Sequence, residues 1–151
     1  MTLSLPPTPP AYVLTDELRN LALVSSAVQR AAQDEFSREE LLLTKLGPKG
    51  WGRVHHFRNY YPSGWGGNGC VLSPKALDAF FRFVEQATFP TTPSVFLTDR
   101  GGIELCWEDA NAKSVQVEFT ATGAEFYNAG TDEEDVIPLD ALAQLSQRLA
   151  M

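Results

Sequence analysis

Two short runs in the second half of the chain alternate strictly between apolar and polar residues. Ile103, Leu105 and Trp107 are separated by Glu104 and Cys106, and Val115, Val117 and Phe119 by Gln116 and Glu118. Successive side chains on a strand point to opposite faces, so a period of two builds a sheet with one apolar and one polar face. The apolar face must be covered by another layer. Further strands are expected at 94–98 and 124–127, beside those at 103–108 and 114–120. The turn Asp99-Arg100-Gly101-Gly102 joins the first pair, and Asn111 and Gly123 mark the later turns.

Helices supply the covering layer. Ser73 is an N-cap and Pro74 occupies the first helical position, where its missing N–H costs nothing. Leu77, Phe80, Phe81 and Val84 follow on one helical face, and the helix should stop before Pro90. Upstream, Thr15 reads as an N-cap, with Asp16 and Glu17 in a first turn whose dipole favours acids. That helix should run to about Ala32. Ser37-Arg38-Glu39-Glu40 has the form of a capping box, so a second helix is expected from Ser37 until Gly47-Pro48. A last helix, about 139–149, offers Leu142, Leu145 and Leu149 for packing. Asp132-Glu133-Glu134-Asp135 reads as an acidic loop, either simply solvated or, together with the sheet acids, a negative patch for a basic partner protein. Helices flank the strands instead of alternating with them. The expected fold is therefore α+β: an antiparallel meander of about four strands, with helices packed on one face.

At 151 residues the chain is long enough for one domain with a substantial core. Residues 1–12, with four prolines, read as a flexible arm, and 13–151 as a single α+β domain. The first ten residues lack a basic segment and an apolar run, so no export signal is expected. With that and two unpatterned cysteines, Cys70 and Cys106, a cytoplasmic location in bacteria or phage-infected cells is the expectation. No apolar run is long enough to span a membrane.

A net charge of −7 argues against direct nucleic-acid binding. The charge is unevenly spread. Between Glu40 and Asp78 the only charged side chains are Lys45, Lys49, Arg53, Arg58 and Lys75; from Asp99 onward, eleven acids face three bases. The basic stretch is also glycine-rich and aromatic, and reads as an ordered irregular segment with a short strand around 53–57. Such asymmetry either lets the basic segment pack against the acidic part of its own chain or steers a partner. Trp51, Arg53, Arg58, Tyr60 and Tyr61 lie within eleven residues and are of the types that dominate interface energetics. They form the first candidate partner surface. The second is the polar sheet face with Glu104, Glu108 and Glu118, which otherwise simply keeps the sheet solvated.

No set of residues carries chemistry outright. His55 and His56 are adjacent, so on a strand they point apart, and no Asp, Glu or Cys lies near them in sequence; no metal site is expected. Cys70, before the Ser73 helix start, with His55 or His56 as base, is the one enzymatic option. Gly64, Gly66, Gly67 and Gly69 lack the Lys-Ser/Thr and the leading strand of a nucleotide loop, so no cofactor is expected.

One set of residues has a familiar arrangement. Trp65, Gly67 and Gly69 precede Ser73 and Ala76; Pro93, Val95 and Thr98 lead to Gly101, Gly102, Ile103, Leu105 and Trp107. This pattern resembles a widespread, little-characterised group of small bacterial and phage proteins. Members usually carry an acid after the first tryptophan, where this chain has Gly66. The resemblance implies an accessory protein of conflict systems, such as an antitoxin-like or immunity-like partner. The expected function is therefore a non-enzymatic module that neutralises a partner protein, either a toxin or, in an anti-CRISPR-like role, a subunit of a host defence complex. The small cysteine-dependent enzyme is the alternative.

Overall fold

The computed structural model describes residues 16–60 and 69–149, with the side chain of Tyr60 excepted. The expected N-terminal arm, Thr15, Tyr61, Trp65 and most of the glycine cluster lie outside the described residues. The chain divides into two units, residues 1–36 and 37–151.

Helix α1 spans Asp16–Tyr60. The expected gap between Ala32 and Ser37 is absent. No glycine or proline occurs from Asp16 to Leu46, and the intervening Ala, Gln, Asp and Glu residues do not stop a helix, so the capping box is simply continued through. In the first unit, Leu21, Val24 and Val28 are exposed. The Gly47-Pro48 signal acts as a break. Gly47 adopts φ 71°, ψ 177°, which is non-helical, and helix resumes at Pro48. Proline suits a first helical position, so the same pair that ends one helix starts the next.

The short strand expected at 53–57 is instead the last part of α1. Leu42 and Leu46 before the Gly47 break, and Val54 and Phe57 after it, are buried, each pair at helical spacing. Gly50 sits among them because a Cβ there would lie 2.5 Å from the Leu46 Cβ.

Helix α2, Pro74–Gln86, starts as expected. The Ser73 hydroxyl accepts from the Ala76 N–H at 3.4 Å, and Pro74 stands in the first turn. Phe80, Phe81 and Val84 are buried, joined by Ala76, Ala79 and Phe83. The sheet follows as β1 Ser94–Leu97, β2 Ile103–Glu108, β3 Ser114–Phe119, β4 Gly123–Asn128 and β5 Glu133–Pro138. Its order is β1-β2-β3-β4-β5, with every neighbouring pair antiparallel. The α+β meander is thus observed, with five strands.

The extra strand, β5, replaces the expected acidic loop. Of its six residues only Ile137 enters the core, while Val136 is 66% exposed. It is an edge strand covered in charge, which leaves no alternating signal and discourages pairing with other chains. Arg148 pairs with Glu133 and Asp135 across it and lies over the Phe126 ring.

The apolar face is built by Ile103, Leu105 and Trp107 beside Val115, Val117 and Phe119, all buried. Helix α2 packs on β2, β3 and β4. The Phe83 ring lies 5.3 Å from Phe119 and 6.2 Å from Trp107, and Phe89 meets Trp107 edge-on at 5.1 Å. The C-terminal segment is a 3-10 helix at Leu139–Gln144 and a turn of α-helix, α3, at Leu145–Arg148. Leu139, Leu142 and Leu145 recur every third residue, a spacing that matches three residues per turn, so the first half is tighter than the expected α-helix. Leu142, Leu145 and Leu149 are buried as expected.

Candidate functional site: the polar sheet face

The other side of the sheet carries no helix that the chain supplies from α2 or α3. The strand register brings carboxylates together there. Glu104 on β2 is opposite Glu118 on β3, which is opposite Glu125 on β4. Like charges in direct register repel. The fold offsets this with Arg100, from the turn between β1 and β2. Its guanidinium donates to both carboxylate oxygens of Glu125, at 3.1 and 3.0 Å, and to Glu118. These hydrogen bonds hold the Glu125 carboxyl below its ordinary range and push the Arg100 guanidinium further up.

Glu118 is the least exposed of the carboxylates that Arg100 bridges, at 14% against 42% for Glu125. Its second oxygen, Oε1, is buried without a hydrogen-bond partner. It lies over Gly102, where a Cβ would stand 2.7 Å away. Gly102 therefore makes room for the carboxylate, a requirement concealed in what reads as an ordinary turn glycine.

Glu104 accepts a hydrogen bond from the Cys106 thiol at 3.1 Å. Burial, and then this carboxylate, push the Cys106 thiol up to about 12. The thiolate is the reactive form, so Cys106 is protected at neutral pH. At pH 8, alkylation of Cys106 is expected to be much slower in the folded chain than in urea, while exposed Cys70 reacts in both. Residue-resolved mass spectrometry after iodoacetamide checks this. Equal folded and unfolded rates for Cys106 would contradict the described environment.

Around the carboxylates is a shallow groove of about 420 Å³. Glu104, Glu118 and Glu125 line it, with Gln116, Tyr127 and Glu134. Tyr127 is 39% exposed, and Phe96 on β1 is 42% exposed opposite Glu104. Of the expected second surface, Glu104 and Glu118 come together here. Glu108, at the end of β2 opposite Ser114, does not line the groove. Sequence reasoning misses Glu125 and Tyr127, and places Glu134 in an acidic loop that could join the sheet acids in a negative patch. Glu125 and Tyr127 alternate within an expected strand, so period two alone is enough to place them; Glu134 requires β5.

The first candidate surface is helical and partly committed to the fold. The Trp51 indole N–H donates to the Glu39 carboxylate, and its ring stacks on His55 at 5.5 Å. Arg53 donates to the Val95 carbonyl at 3.0 Å and lies over the Phe96 ring, so it fastens α1 to the β1 edge. Lys45 donates to the Ala87 carbonyl at 2.7 Å. Much of the basic stretch thus satisfies carbonyls of its own domain. Arg58 is exposed, Tyr60 closes the helix, and Tyr61 lies outside the described residues.

Cys70 is exposed, and its N–H donates to the Asp99 carbonyl at 2.9 Å. Among the described residues, no group of three or more His, Cys, Asp or Glu is arranged to hold a metal ion. No described helix is long and apolar enough to cross a membrane. No protein-family model matches the chain, and neither does a curated protein or a solved structure.

Proposed function

We propose that the chain is a non-enzymatic protein-binding module that masks a basic surface of a partner protein. The observation that carries this reading is the polar sheet face, on which, among the described residues, neither α2 nor α3 packs; there exposed Tyr127 and Val136, and Phe96 beneath Arg53, are interleaved with carboxylates. Exposed apolar side chains within a charged rim are the make-up of a docking surface. The −7 charge favours a basic counterpart. The resemblance to conflict-system proteins supports a neutralising role within a bacterial or phage-infected cell, with a toxin as the partner. The same acidic face would also serve an inhibitor of a host defence complex, by filling a groove built for phosphates.

The test is capture of partners by the tagged full chain and by two face variants, Tyr127→Ala and Glu134→Lys. Both positions are solvent-exposed, so each variant should keep its stability within about 0.5 kcal/mol. A stoichiometric partner retained by the parent chain and lost by both variants is the expected result. A partner held equally by all three, or none held by the parent, would overturn the reading.

A further inference from the structure

The face already holds two guanidinium groups of its own: Arg53 lies over the Phe96 ring, and Arg100 bridges the carboxylates. Arg100 forks onto Glu125 and reaches one oxygen of Glu118, while the other Glu118 oxygen is enclosed over Gly102 and is not offered to a partner. Among the described residues, no ion pair reaches Glu104 or Glu134, and the donor on Glu104 is the neutral Cys106 thiol. Acceptors on this face therefore outnumber the cations supplied. Tyr127 lies open beside them, a ring on which a planar cation can stack. The chain repeatedly places guanidinium on rings: Arg53 over Phe96 on this face, and Arg38 over Phe81 and Arg148 over Phe126 elsewhere, at 4.8 to 5.1 Å.

We infer that the partner segment docking here is rich in arginine, not merely basic, and that Arg100 is the resident guanidinium with which it competes. This rests on the reading of the face as a docking surface. The chemistry distinguishes the two cations. A guanidinium offers a rigid fork to paired carboxylates and a flat face to Tyr127, whereas an ammonium offers a strongly hydrated point charge. Arg100 shows the fork geometry already realised on Glu125.

The experiment titrates labelled arginine and lysine peptides of equal length into the full chain at physiological salt, followed by anisotropy. The arginine peptide should bind about tenfold more tightly than the lysine peptide. Glu134→Gln should weaken it, whereas Asp140→Asn, the same change of charge away from the groove, should not. Arg100→Ala should tighten it by roughly threefold, as removal of an internal competitor. Arg100→Gln, with thermal unfolding of both variants, controls for loss of fold. Equal affinity for the two peptides, equal loss in Asp140→Asn, or weaker binding by folded Arg100 variants would each overturn the inference. If partner capture depends on Tyr127 and Glu134 while the peptides bind alike, the docking surface stands and its arginine preference falls. If capture ignores both residues, the docking reading itself fails.

Discussion

Phe119→Ala is expected to lower the unfolding free energy by about 4 kcal/mol, the middle of the range for truncating a buried phenylalanine. Phe119 is fully buried at the end of β3. Its ring is held by Phe83 at 5.3 Å and by Phe80 at 5.9 Å, both from α2. In the sheet its direct neighbours are Ile103 and Ala124. Ala124 is too small to move into the vacated space, and Ile103 is pinned in a paired strand. The cavity would therefore stay largely open, which raises the cost above simple transfer of the ring. Domains of this kind have about 5–15 kcal/mol in total, so the variant would lose a large share of its stability. Urea unfolding checks this: the midpoint should fall with little change in slope. A loss below about 1 kcal/mol would mean that Phe119 does not join helix to sheet as described.

Gly101→Ala should cost about 3 kcal/mol, from left-handed strain of about 1 and a steric conflict of about 2. Gly101 adopts φ +75°, and a Cβ there would lie 2.4 Å from the Val71 carbonyl oxygen. That neighbour is backbone, so no side-chain rotation relieves the clash. The surrounding chain is also stitched in place. The Ser73 N–H donates to the Gly101 carbonyl at 2.8 Å, and the Cys70 N–H to the Asp99 carbonyl at 2.9 Å. The turn thereby fixes where α2 begins relative to the sheet. It also carries Arg100, so the substitution should loosen the bridge to Glu118 and Glu125. Gly52→Ala is the comparison: it lies in a helix with nothing within 4 Å of its would-be Cβ, and should stabilise by about 0.5–1 kcal/mol. Thermal melts of the two variants should move in opposite directions. A Gly101→Ala protein as stable as its parent would show that the turn does not make this close approach.

The legible parts of the fold are those where local pattern and tertiary demand coincide. β2 is readable because Ile103, Leu105 and Trp107 all enter the core while Glu104 and Glu108 do not. The start of α2 is readable because Ser73 and Pro74 act within one turn of each other. The segment from Trp51 to Tyr60 is not. Gly52, the aromatic residues and the glycines that flank the segment resemble an irregular region, but Val54 and Phe57 bury themselves at helical spacing beyond the Gly47 break. Packing then outweighs a poor intrinsic helix propensity. β5 escapes notice for the opposite reason. Its pairing with β4 supplies backbone hydrogen bonds whatever its side chains are, and only Ile137 needs to be apolar.

The site divides along the same line. Alternation within the strands is enough to require a polar, carboxylate-bearing face, because a period of two assigns Glu104 and Glu118 to the side opposite Ile103 and Phe119. Charge counting is enough to make the last third of the chain strongly negative, since eleven acids stand against three bases from Asp99 onward. Which carboxylates adjoin is a matter of the assembled sheet. Register across β2, β3 and β4 aligns Glu104, Glu118 and Glu125, and the turn geometry lays Arg100 over two of them. Likewise it takes the folded chain to draw Arg53 onto the β1 edge and Trp51 onto Glu39 within α1. Alternation is a property of one strand and can be read along it, whereas register, bridging and enclosure belong to several segments at once and exist only when those segments meet.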